Sequence, residues 1–157
     1  MTGRASSVAL PLAEAQDPFE VACMRPRTNV SLGWTEGRFF DLWMFVHLLA
    51  GVAGGFSNVW FGLSAPMVVV VGFFLMGVWE VFEALIGIDE SWENRALDIL
   101  VGLAGVAIAL AIAAKLDHRQ QAVAFGAAVL LGSLGSALGW LAHRRRTRAV
   151  RNERPDG

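Results

Sequence analysis

Residues 66–78 read PMVVVVGFFLMGV, residues 79–98 read WEVFEALIGIDESWENRALD, and residues 99–113 read ILVGLAGVAIALAIA. Two strongly apolar runs are thus joined by a segment that carries Glu80, Glu83, Asn94 and Asp98 inside the runs or at their lips. A helix needs about 20 mainly apolar residues to cross the hydrocarbon core of a bilayer. Gly87 falls where the first helix should stop, and Asp89 or Ser91 where the second should be capped. The stretch therefore predicts two membrane helices, over about 65–86 and 92–115, joined by a tight turn.

The same reading extends outward. An apolar run over about 39–59 precedes the pair and another over about 121–141 follows it. SNVWFGLSAP (57–66) reads as a short turn, with Pro66 suited to the first turn of a helix, and LDHRQ (116–120) reads as the last link. Residues 1–30 are rich in Ala, Pro, Arg and Ser without sustained periodicity and read as a flexible tail. GWTEGRFFDLW (33–43) approaches the membrane with a turn at Gly37, and 143–157 form a basic tail. The expected fold class is all-α: an integral membrane four-helix bundle over 31–142.

Composition agrees. The chain has 157 residues, of which 55% are hydrophobic and 17% charged, and its mean hydropathy is +0.49. Its charges sit at the ends and in the gaps, which a soluble core would not require. A net charge of −1 and the lack of a basic patch interleaved with aromatics give no reason to expect a nucleic-acid partner. HRRRTRAVR (143–151) directly follows an apolar helix and reads as a stop-transfer flank. Cys23 is the single cysteine, so an intramolecular disulfide and a Cys-based metal motif are excluded. No apolar run precedes it, which argues against lipoprotein processing, and the first run begins too far in for an ordinary signal peptide.

Orientation follows from Lys and Arg. Arg4, Arg25, Arg27, Arg38, Arg95, Arg144, Arg145, Arg146, Arg148, Arg151 and Arg154 would share one side, against Lys115 and Arg119 on the other. The positive-inside bias then puts both termini on the cytoplasmic side of the membrane. Trp34, Trp60, Trp92 and Trp140 fall near expected helix ends, as interfacial aromatics should.

In this arrangement three helices bring ionisable groups to one leaflet. Glu83 lies about one turn inside the membrane, Glu80 about two, and Asp98 at a similar depth; His47, about eight residues into the first span, lies roughly 12 Å deep. Glu80 and Glu83 share a face at i,i+3, and Asn94 and Asp98 at i,i+4. The polar faces continue through small residues, Gly102 and Gly105 on the third helix and Gly51 and Gly54 on the first, and should point inward. A carboxylate deep in the bilayer costs roughly 2.5–3.5 kcal/mol on insertion scales. The candidate site is therefore His47, Glu80, Glu83 and Asp98, supported by Asn94. The plainer readings are a hydrogen-bonded core histidine, a Glu83 that reaches the headgroups, and an Asn94 that only bridges helices. Asp89, Glu90, Ser91 and Glu93 read as helix-start chemistry.

Carboxylates and imidazole suit a divalent metal, for which His47, Glu80, Glu83 and Asp98 are the candidate ligands. Crowded carboxylates also raise one another's pKa, which leaves acid–base work equally open. An opening in the cytoplasmic leaflet would admit a lipid headgroup sideways. No Ser or Cys nucleophile signature, Gly-rich phosphate loop or HExxH accompanies the set. Two other roles stay open: an ion- or proton-coupled transport or channel subunit, and an accessory subunit whose polar residues lock helix packing. On the last helix Ala128, Gly132, Gly135, Ser136 and Gly139 form a small-residue surface, for packing within the bundle or for a homo-oligomer.

FDLWMFVHLLAG (40–51), WEVFE (79–83) and ENRALDILVGLAG (93–105) together resemble the VanZ-like and related families of small bacterial membrane proteins. The resemblance covers about residues 38–110. It implies a membrane protein of four or five helices, in a group where glycopeptide resistance is associated with one member, with polar positions at Asp41, His47, Trp79, Glu80, Glu83, Asn94 and Asp98. The Asp41–His47 spacing is longer here and the loop between Glu83 and Asp98 short. The expected function is binding or acting on a lipid-like, envelope-related molecule.

Overall fold

A computed structural model describes residues 31–34, 39–86, 88 and 90–152. Among these the chain is all-helical. Its four helices are α1 (Trp43–Phe61), α2 (Ala65–Leu85), α3 (Trp92–Ala113) and α4 (His118–Asn152). Three of them, α2, α3 and α4, are long and apolar enough to cross a membrane. The tail at 1–30, the turn at Gly37, the stop at Gly87 and the alternative cap at Asp89 lie outside the described residues.

Helix ends differ from the expected ones for local reasons. α1 starts at Trp43 rather than near Phe39, because the Asp41 carboxylate accepts from the Trp43 amide at 2.9 Å and satisfies one of the helix's orphan donors. It runs through Ser57–Phe61, which the sequence placed in a turn, and stops at Gly62. There φ is +61°, and the Gly62 amide closes on the Asn58 carbonyl at 2.9 Å. The left-handed conformation suits glycine at a helix C-terminus. Pro66 does sit in the first turn of α2. Ser91 caps α3, its hydroxyl accepting from the Asn94 amide at 3.2 Å. α3 ends at Ala113, and Ala114–Asp117 link it to α4.

The largest difference is in α4. A span over 121–141 with a separate basic tail was expected, yet one helix runs to Asn152. Its 35 residues extend about 52 Å at 1.5 Å per residue, well beyond a hydrocarbon core of about 30 Å. No Gly or Pro interrupts 140–152, and Arg and Ala are good helix formers, so the basic segment continues the helix. Trp140 therefore lies within α4 and not at its end.

α1 is the centre of the bundle. It packs on α3 most extensively, then on α4, and less on α2, while α2 rests mainly on α3. The α1–α3 crossing is a backbone-to-backbone approach: Gly51 faces the Gly102 carbonyl, and Gly105 faces the Leu48 carbonyl and the Val52 amide. The α1 face continues through Gly55, against Val106 and Ala109; Gly54, expected there, has open space beside its Cα. The reason is the register, since 47, 51 and 55 follow i,i+4 steps and stack along one line. Gly135 seats Val46, and Gly139 lies under the Trp34 and Trp43 rings, which meet edge to face at 5.4 Å. Much of the small-residue surface of α4 is thus used within the chain.

The outside is inverted relative to a soluble protein. Phe74, Leu75, Val78 and Leu85 on α2 are 63–80% exposed, and Leu100, Leu130 and Val123 extend the surface onto α3 and α4. Soluble monomers rarely expose contiguous apolar patches beyond a few hundred Å². The polar groups are inside, so the molecule is built as a membrane protein.

Candidate functional site

The site gathers where α1 and α3 begin and α2 ends. All seven polar positions singled out in the sequence meet there. Asp98 and Asn94 are fully buried, and His47, Glu83, Glu80 and Asp41 are 3–9% exposed; Trp79 is the outermost, at 38%. His47 lies in the second turn of α1, roughly 6 Å along the helix rather than the expected 12 Å.

The capped first turn of α3 sets the register. With the Asn94 amide held by Ser91, the Asn94 side chain points into the bundle and Asp98 stacks one turn further on. The Asn94 amide nitrogen donates to Asp41 Oδ2 at 3.2 Å and to Asp98 Oδ2 at 3.3 Å. One amide thus bridges two carboxylates from separate helix starts. Asp41 in turn holds the first amide of α1, so the three residues tie α1 to α3.

His47 is held from behind. Its Nδ1 lies 3.0 Å from the Trp43 carbonyl, one turn back on α1, and 3.8 Å from Asp98 Oδ1. The shorter contact is the hydrogen bond and puts the neutral ring's proton on Nδ1. Nε2 carries the lone pair when the ring is neutral and is a second N–H donor when it is charged. Nε2 faces Glu80 Oε1 at 3.2 Å, an ion-pair distance when the ring is charged, although neither Nε2 nor either Glu80 oxygen makes a hydrogen bond. Glu83, one turn from Glu80, accepts from the Trp79 indole N–H at 2.8 Å. Ligand atoms of His47, Glu80 and Glu83 lie within 4.8 Å of one another.

Two contributions were not legible as part of the site. Glu90 was assigned to helix-start chemistry; it lies half-buried at the mouth of the cluster, with Oε2 unpartnered. Burial, followed by the charges of Asp98, Glu83, Glu80 and Asp41, pushes its carboxyl up to about 8. Arg95, counted only for topology, donates to the Ile88 carbonyl at 3.2 Å and braces the α2–α3 turn. The signal for Glu90 was its place in a turn too short to carry it away from the acids.

Beside the cluster runs a groove of about 610 Å³, floored by α1 and walled by α2 and α4. His47 and Trp79 line it, together with Val46, Ala50, Ala53, Leu75, Met76, Val129, Ser133 and Ser136. It exists because α2 and α4 both pack on α1 without packing extensively on each other. The groove is apolar along its length and polar where it meets His47.

Comparison with family models, with curated proteins and with solved structures returns no match. The likeness to VanZ-like proteins therefore stands on the residues quoted for it, and the site has to be read from its own geometry.

Proposed function

We propose that this chain is a four-span protein of a bacterial cytoplasmic membrane, with both termini cytoplasmic, that binds or acts on a lipid-like, envelope-related molecule. The 19 residues of α1 would cover about 28 Å, which makes a fourth span reasonable. The observation that carries the reading is the groove: an apolar channel between α2 and α4 that ends on His47 and Trp79. A hydrocarbon tail would lie along Ala50, Ala53, Leu75 and Val129 and bring a polar head to the His47, Glu80 and Glu83 end. The acids and imidazole would act there as proton donors and acceptors. The resemblance to the VanZ-like families agrees with this reading.

An ion path is disfavoured by the other end of α1. Ser57 and Asn58 are the polar residues there, and the Ser57 hydroxyl is turned back onto the Gly54 carbonyl at 2.6 Å. The test is photolabelling in nanodiscs with a phospholipid carrying a diazirine on its acyl chain. Labels should fall on groove residues such as Leu75 and Val129, and Ala50→Phe, which fills the groove, should abolish them. Labelling spread evenly over the outer faces and unchanged by Ala50→Phe would overturn the reading. Glu80→Gln and Asp98→Asn should alter headgroup preference; full retention in both would leave the polar set with a packing role only.

A further inference from the structure

We infer that His47, Glu80 and Glu83 form a binding site for one divalent transition-metal cation of the Zn²⁺ or Mn²⁺ type. Three observations converge on it. The first is the donor set: one imidazole and two carboxylates whose ligand atoms fall within 4.8 Å of one another. Imidazole with carboxylate suits these cations, whereas Ca²⁺ and Mg²⁺ favour all-oxygen shells.

The second is the absence of any other partner. His47 and Glu80 are 3% and 5% exposed, yet Nε2 and both carboxylate oxygens have no hydrogen-bond partner. Buried polar atoms are nearly always hydrogen-bonded, and the ion pair that Nε2 makes with Glu80 Oε1 when the ring is charged still leaves Glu80 Oε2 unpartnered. Nε2 and Oε1 stand 3.2 Å apart without hydrogen-bond geometry. With bonds of about 2.0–2.2 Å to a tetrahedral cation, neighbouring ligand atoms lie about 3.3–3.6 Å apart. The two atoms thus stand a few tenths of an ångström inside the separation of neighbouring ligands on one ion.

The third is the support behind the ligands. Metal-binding imidazoles usually give their other N–H to a carbonyl or carboxylate, which fixes tautomer and orientation. Here Nδ1 is on the Trp43 carbonyl, and the Trp79 indole holds Glu83 in place. Asp98 and Asp41, bridged by Asn94, add negative charge just outside the trio. Asp98, grouped with the ligands in the sequence reading, belongs to this outer layer.

The site coincides with the polar end of the groove, but the cation needs only the protein's own donors and does not depend on a lipid being bound. The experiment is metal titration of the full chain in detergent, after chelator treatment, with Zn²⁺, Mn²⁺ and Co²⁺ in turn. One ion per chain is expected, with raised unfolding temperature, altered Trp fluorescence through Trp79, and the visible absorption of low-coordinate Co²⁺. Glu80→Gln and His47→Gln should each weaken binding about 100-fold or more, whereas Asp117→Asn, in the link between α3 and α4, should leave it unchanged. Cooperative thermal unfolding of metal-free Glu80→Gln and His47→Gln in the same detergent shows that their loss of binding is not misfolding. Wild-type protein that unfolds cooperatively but takes up no ion would overturn the proposal, as would binding that survives Glu80→Gln and His47→Gln. Acyl-chain labelling of the same preparations separates the two readings: a cation without groove labelling removes only the lipid role, and labelling without a cation removes only the metal site.

Discussion

Gly51 and Gly54 stand three residues apart on α1, and the structure gives alanine opposite effects at the two positions. At Gly54 an added methyl meets nothing within 4 Å. The change should then follow helix propensity alone and stabilise by about 0.5–1 kcal/mol. At Gly51 the methyl would run into the Gly102 carbonyl, with the Val106 amide 3.1 Å away. Both obstacles are backbone of a packed helix and cannot rotate aside, so α1 and α3 must separate. Overpacking a core typically costs 1–3 kcal/mol. Separation would also stretch the Asp41–Asn94–Asp98 bridge a turn away, which puts the expected cost near the top of that range, about 3 kcal/mol. Offset by the propensity gain, the net loss is about 2 kcal/mol, or roughly 4–8 °C at 2–4 °C per kcal/mol for a chain of this size. Thermal unfolding in one detergent, followed by circular dichroism, compares both variants with the wild type. A Gly51→Ala variant as stable as Gly54→Ala would refute the close α1–α3 crossing, and with it the geometry that brings His47 to Asp98.

Other consequences are as specific. Asn94→Leu removes the donor shared by Asp41 and Asp98 and leaves two buried carboxylates facing each other; a loss of about 3 kcal/mol or more is expected in the same assay. Ser91→Ala removes the α3 cap and should cost about 1 kcal/mol, with hydrogen exchange faster at Asn94 than at the middle of α3. Glu90 supplies a pH dependence. Its carboxyl titrates near 8 in the folded chain against 4.5 ordinarily, so the native state keeps a proton that the unfolded chain releases. Stability from this group is therefore present below pH 4.5 and lost as pH rises towards 8. Unfolding temperatures measured across that window should fall less steeply in Glu90→Gln than in wild type; an unchanged slope would remove Glu90 from the cluster's field.

Helix content and the inward direction of the acids were legible because both are short-range properties. Apolar runs fix the helices, and i,i+3 or i,i+4 spacing puts Glu80 with Glu83 and Asn94 with Asp98 whatever the packing. What sequence periodicity could not supply was the register between helices. Gly54 and Gly55 are equivalent as letters, and only the position of Ala109 decides which is packed. The length of α4 was missed for a different reason: the bilayer sets where a span ends, but nothing in HRRRTRAVR ends a helix. The groove was illegible altogether, since it arises from two helices that do not pack on each other.

The placement of the site follows from the same physics as the fold. Four carboxylates at the middle of three spans would be prohibitively costly. Placed within two turns of helix ends, they can be served by what those ends offer. Asp41 takes an unpaired amide of α1, Asn94 is locked by the cap of α3, and His47 Nδ1 uses a carbonyl of the first α1 turn. These contacts serve Asp41, Asn94 Nδ2 and His47 Nδ1 but leave Nε2, both Glu80 oxygens, Asn94 Oδ1 and Asp98 Oδ1 without hydrogen bonds. A network built only to lock helices gains nothing from leaving a buried acid without a hydrogen bond, because Gln at position 80 would pack as well without the charge. His47, half of the pair with Glu80, lines the groove that reaches the site. The stabilised half of the cluster thus holds the unsatisfied half in place, which is the arrangement a ligand site requires and a packing device does not.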